Sequence, residues 1–119
     1  MAKTVLVIED DHPLQELFEL RFEGAGITVL KAYTLADAVE QYRNNPDVDA
    51  VLFCGKLVGE TTYDGNDPGT VRWFKEQGYA GRMFGCSADD SLLHLLEDAG
   101  CEMAIDKMNA VPRLIEAFA

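Results

Sequence analysis

The chain has 119 residues, enough for one domain with one core and too few for an appended output domain. Its 21 acids against 10 Lys and Arg give a formal net charge of −11, a surface that repels phosphate backbones and argues against direct DNA or RNA binding. No apolar run approaches the ~20 residues of a membrane span, and the run after Thr4 is too short for the roughly 7–15-residue core of a secretory signal.

The expected location is therefore the cytoplasm, off the membrane. Cys54, Cys86 and Cys101 are odd in number and lack the paired spacing of a zinc site. Three reduced thiols are expected there.

Val5 to Ile8 is continuous and β-branched rather than alternating, which suits a strand buried on both faces. It ends in Glu9-Asp10-Asp11, and Pro13 fits the first turn of a helix. Leu14, Leu17, Phe18 and Phe22 follow at helical spacing, and Gly24 and Gly26 stop the helix. A second strand, Ile27 to Ala32, leads into Thr34 as N-cap with Asp37 three residues on. Leu35, Ala38, Val39 and Tyr42 form the inner face of that helix, which Asn44-Asn45-Pro46 breaks.

Ala50-Val51-Leu52-Phe53 is the third buried strand. A long polar loop, Gly59 to Gly69, ends in Asp67-Pro68 as a helix start, and Val71, Phe74 and Trp73 pack the helix inward. Its Asp64-Gly65-Asn66-Asp67 lacks the spaced ligands of a calcium loop and reads as a turn plus cap. Arg82 to Cys86 is strand four; Asp89-Asp90 open a helix with Leu92, Leu93, Leu95 and Leu96, which Gly100 ends. Cys101 to Ile105 is strand five, and Val111 to Phe118 the last helix.

Five strands alternating with helices predict an α/β three-layer, doubly wound (βα)5 fold over residues 1–119, with a parallel sheet and right-handed crossovers. In such sheets the site lies beyond the carboxyl ends of the strands. Those ends carry Glu9 and Asp10, Cys54, Ser87, and Lys107. Singly, each has a plain structural role: an acidic pair suits a helix N-terminus, Ser87 an N-cap, Lys107 the surface. His12 reads as a helix-entry surface histidine.

In order and spacing, Val5-Leu6-Val7-Ile8-Glu9-Asp10-Asp11, Asp49-Ala50-Val51-Leu52-Phe53-Cys54, Cys86-Ser87-Ala88 and Asp106-Lys107 resemble the receiver domain of two-component response regulators, the CheY-like pattern. The resemblance covers essentially the whole chain and implies the flavodoxin-like strand order 2-1-3-4-5. It implies that Glu9 and Asp10, with the backbone carbonyl of Lys56, hold Mg2+. It places residue 54 as phosphoacceptor and sets Ser87 and Lys107 on the phosphoryl oxygens. It further implies a stand-alone phosphorelay module that binds a histidine kinase or phosphotransfer protein near the first helix. A downstream target would bind the face of helix four, strand five and helix five.

The acceptor position holds Cys54 where the family has Asp. A thiol with an ordinary pKa of about 8.5 is mostly un-ionised at neutral pH and is a poor ligand for hard Mg2+. Glu9 and Asp10 should raise that pKa, and Lys107 should lower it. Mg2+ is accordingly expected to bind weakly or not at all, and phosphoryl transfer to be disabled; the module is not an enzyme. Cys54 is open to solvent on this reading, and strand alternation turns Cys86 away from the site that Ser87 enters.

Ala104 stands where receivers carry a switch aromatic, Met108 replaces the usual Pro after the Lys, and Val58 replaces another Pro. Three accounts of Cys54 stay open: a natural pseudo-receiver that signals by binding alone, a receiver with its acceptor Asp deliberately replaced, or a thiol-based redox-sensing module on the same fold. A flavodoxin-like electron carrier is disfavoured, because three acids after strand one would repel a flavin phosphate. A small hydrolase lacks a second nucleophile–base pair.

Overall fold

The computed structural model describes residues 3–54, 69–88 and 90–118, with the side chains of 69, 90 and 91 left aside. In chain order the elements are β1 (Lys3–Ile8), α1 (His12–Gly24), β2 (Ile27–Ala32), α2 (Leu35–Asn44), β3 (Ala50–Cys54), α3 (Gly69–Glu76), β4 (Arg82–Ser87), α4 (Asp90–Ala99), β5 (Met103–Asp106) and α5 (Ala110–Phe118). The five strands form one sheet in the order β2-β1-β3-β4-β5, every pair parallel. The expected architecture and strand order are both observed.

The apolar runs are continuous because side chains alternate between two cores. Val5 and Val7 of β1, Leu52 of β3 and Phe84 of β4 face Phe18 and Phe22 of α1 and Leu114 of α5. Leu6, Ile8, Val51 and Phe53 face the other way, onto Ala38 of α2, Val71 and Phe74 of α3, and Leu96 of α4. Each fully buried large side chain contributes about 1.5–3 kcal/mol, and neither face has a polar stripe to leave in water. Gly85 lets α4 come down on β4: a Cβ there would meet Leu96 Cδ1 at 2.9 Å.

The helix starts follow their local chemistry. The Asp11 carboxylate accepts the Leu14 N–H at 3.1 Å, and Pro13 takes a first-turn position. Thr34 Oγ1 accepts the Asp37 N–H, while the Asp37 carboxylate accepts the Tyr33 N–H, closing a reciprocal cap. Gly26, with φ 83°, turns the chain from α1 into β2 in a conformation that side chains resist.

Two details differ from expectation. β5 begins at Met103 rather than Cys101, because the Cys101 N–H still belongs to the end of α4, donating to the Leu96 carbonyl. Leu17, at helical spacing with Leu14, Phe18 and Phe22, is 42% exposed. The buried stripe of that helix runs Gln15, Phe18, Phe22 instead.

Gln15 has a reason to be inside. Its Nε2 donates to the carbonyls of Val7 (3.0 Å), Glu9 (3.3 Å) and Ala32 (3.1 Å), so one amide ties the ends of β1 and β2 to α1. Among the described residues nothing donates to its Oε1. Gln15→Met, similar in size but without the amide, should lower unfolding free energy by about 1–3 kcal/mol in urea titrations with little change in m. Leu20→Ala, on the exposed side of the same helix, should stay within about 0.5 kcal/mol of the unaltered chain. A loss at Gln15 no larger than that control would show the amide to be idle.

Candidate functional site

Pairing of β1 with β3 runs Ile8↔Phe53, so Glu9 follows onto the row of Cys54. Cys54 pairs with Cys86, and Ser87 with Asp106, which immediately precedes Lys107. The parallel register thus brings the strand-end residues singled out in the sequence to one edge of the sheet. Lys56 and the 59–69 loop motif lie outside the described residues, as do Val58 and Asp89; Gly69 is described only as the first residue of α3.

Glu9 is fully buried, and its carboxylate is engaged on both oxygens. Lys107 Nζ donates to Oε1 at 2.8 Å, and the Asp11 N–H donates to Oε2 at 3.1 Å. Burial pushes the Glu9 carboxyl above its ordinary range, and a hydrogen bond with Asp10 adds to this; Lys107 and the Asp11 amide pull back without prevailing. Burial is the largest influence on Lys107 and works against its charge, but the bond to Glu9 and the charges of Glu9, Cys54 and Cys86 together raise the lysine. A half-exposed chain of lysine therefore reaches inward to a wholly enclosed acid.

Two expectations for the cysteines fail. Cys54 is 1% exposed rather than open to solvent, and Cys86 faces the same way as Cys54 rather than away from it. Cys54 continues the alternation Ala50, Leu52, Cys54, and Cys86 continues Phe84, Cys86, so both enter the core under α1 and α5. Their sulfurs lie 2.7 Å apart, with Cys86 as donor. Burial above all, then the hydrogen bond and charge of Cys86 and the charge of Glu9, push the Cys54 thiol well up; Lys107 opposes them weakly. Cys101 opens onto the opposite core and is pushed up to about 12, chiefly by burial.

Ser87 is buried at the carboxyl end of β4, and Ala104 is half-buried in β5 against the other core. Met108 is 85% exposed. His12 is exposed at the start of α1, its ring stacked on Tyr33 at 4.1 Å between centroids.

The described residues fit Mg2+ poorly. That ion demands a near-octahedral shell of oxygens. Glu9 is spent on Lys107 and Asp11, and Cys54 offers sulfur, which hard cations take poorly. Among the described residues no group of three or more His, Cys, Asp or Glu side chains is arranged to hold a metal ion.

Cys86 and Gln15 are the site residues that sequence reasoning missed. Counting both strands from their first residues places Cys54 fifth in β3 and Cys86 fifth in β4, a match that only the observed register makes meaningful. Gln15 falls on the stripe of Phe18 and Phe22, and a polar residue there is the signal of a buried amide.

Removing the lysine head should expose the cost of an enclosed carboxylate. Lys107→Met should destabilise the fold by about 2–4 kcal/mol near neutral pH, somewhat under the range for a wholly buried pair because Lys107 is 28% exposed. Adding Glu9→Gln should recover part of that loss, giving a coupling above about 1 kcal/mol in a double-mutant cycle. Strict additivity would show that the two side chains do not depend on each other.

No protein-family model matches the sequence, and no curated protein is detectably similar to it. Solved structures do match. A Francisella response regulator receiver domain has a TM-score of 0.78 at 19% identity, covering 97% of this chain and 92% of its own. CheY of Borrelia burgdorferi, solved with CheX, BeF3 and Mg2+, has a TM-score of 0.78 at 20% identity, covering 98% and 90%. A LuxR-family two-component response regulator from Aurantimonas has 0.80 at 17% identity, covering 99% and 83%. With the sheet order β2-β1-β3-β4-β5 and five helices, the chain has the fold of a response-regulator receiver domain.

Proposed function

We propose that this chain is a receiver-type signalling module that acts through protein–protein contact and does not accept a phosphoryl group. The observation that carries the reading is the state of the acceptor position: Cys54 is enclosed, touches Cys86, and lies beside a Glu9 already neutralised by Lys107. Phosphoryl transfer depends on positioning and on charge neutralisation by cations. Here the lysine is committed to Glu9, and the thiol is held protonated by its surroundings.

On this reading the module turns over no substrate, works in the cytoplasm, and binds Mg2+ weakly or not at all. Its partners are a histidine kinase or phosphotransfer protein near α1 and a target protein elsewhere. In support, two of the three exposed large hydrophobic residues among those described, Leu17 and Leu20, lie on α1, at 42% and 72% exposure. Apolar side chains left in water on one helix suit a surface that another protein covers.

Acetyl phosphate with Mg2+ should leave the chain unmodified by intact mass, whereas Cys54→Asp should gain one phosphoryl group. A stable phosphoryl adduct on the unaltered chain would overturn the reading. An Asp variant that also stays bare would show that Lys107 and Glu9 no longer serve the family's chemistry.

A further inference from the structure

Two thiols that the receiver frame does not use as a pair meet at the acceptor position. Cys54 and Cys86 are direct Cα partners across β3 and β4, and their sulfurs are 2.7 Å apart. Neighbouring strands lie roughly 4.8 Å apart, within the 4.4–6.8 Å span of Cα atoms that a disulfide bridges. Both side chains point to the same face, so neither strand has to turn. The S–S bond of about 2.05 Å needs only a short approach from the contact already made. Cys101 faces the opposite core and cannot compete for either sulfur.

We infer that Cys54 and Cys86 are a dithiol site that closes to a reversible disulfide under a small hydroperoxide. Local opening admits water and oxidant, and one thiol then gives up the proton that the closed site holds on it; its sulfur attacks a peroxide oxygen, the O–O bond breaks, a sulfenic acid forms, and water leaves with that proton. The second sulfur attacks the sulfenic sulfur, the S–S bond forms, the S–O bond breaks, and a second water carries off the remaining thiol proton. Two electrons pass from the sulfurs to the peroxide, so two thiols and one hydroperoxide give one disulfide and two waters when the peroxide is hydrogen peroxide.

The enclosure selects the oxidant. Both cysteines are at most 1% exposed, so a molecule the size of hydrogen peroxide can reach them through local opening where a bulky disulfide cannot. The bond itself does not depend on the receiver reading. Its use as a signal does, because it would place a two-electron oxidation at the position that the resemblance assigns to the phosphoacceptor.

Hydrogen peroxide on the folded chain should remove about 2 Da, the two thiol hydrogens, and a dithiol reductant should restore them. Peptide mapping of the unaltered chain should find Cys54 joined to Cys86 with Cys101 still free. An aromatic disulfide reagent should modify the folded chain far more slowly than peroxide closes the bond. Cys101→Ser should keep the mass loss and Cys86→Ser should abolish it. A bond through Cys101, an intermolecular dimer, or oxygen additions with no mass loss would each overturn the inference. The phosphodonor experiment reads a different adduct, so either result can fail without the other.

Discussion

A carboxylate removed from water must find a counter-charge, and the burial of Glu9 imposes that demand on the whole carboxyl edge of the sheet. Lys107 meets it from the turn after β5, reaching past two intervening strands with a 2.8 Å contact. The bond spans nearly the full length of the chain and ties the first strand end to the last. Asp11 completes the second oxygen through its backbone N–H, the same residue whose side chain caps α1. Acid, lysine and helix start are therefore one arrangement, and none of the three can shift alone. Unpaired, the enclosed carboxylate would cost several kcal/mol, which is a large share of the marginal stability of a domain this size.

Between those charges the edge is filled by sulfur. In a receiver-like frame a carboxylate at position 54 would add a third negative group beside Glu9 and Asp10, and a cation would have to balance it. A thiol adds no such charge. Cys54 can accordingly be drawn into the core under α1 and α5, where Cys86 is its neighbour. With sulfur at position 54, this part of the edge is apolar. The Glu9–Lys107 pair then balances itself. The thiol at position 54 also allows the close approach of the two sulfurs.

Gln15 plays a parallel part on the other side of β1. Buried carbonyls at the carboxyl ends of β1 and β2 can take donors beyond those the sheet supplies, since each oxygen has two lone pairs. One amide donates to three of them. The clamp explains why α1 spends a core position on a polar residue while Leu17 and Leu20 are left outside.

The alternation of strands and helices was legible in the sequence, with several of its caps and breakers, because these rest on local spacing: four-residue apolar runs, Thr34 with Asp37, Gly24 and Gly26, Asn44 with Asn45. Strand order followed from the resemblance and is observed. Glu9, Cys54, Ser87 and Lys107 were recognisable as strand-end residues on the same grounds. What the sequence by itself determined is therefore which residues reach the carboxyl edge. How they are disposed there was decided by tertiary structure. That Gln15 rather than Leu17 turns inward goes with the carbonyls it reaches, and these belong to the ends of two strands far apart in sequence. Whether Cys86 faces Cys54 depends on the register of β3 against β4, a relation between segments 32 residues apart that no local pattern encodes. That register is set by the packing of both cores at once, so the meeting of the two sulfurs, and the enclosure of Glu9 beside them, exist only in the folded chain.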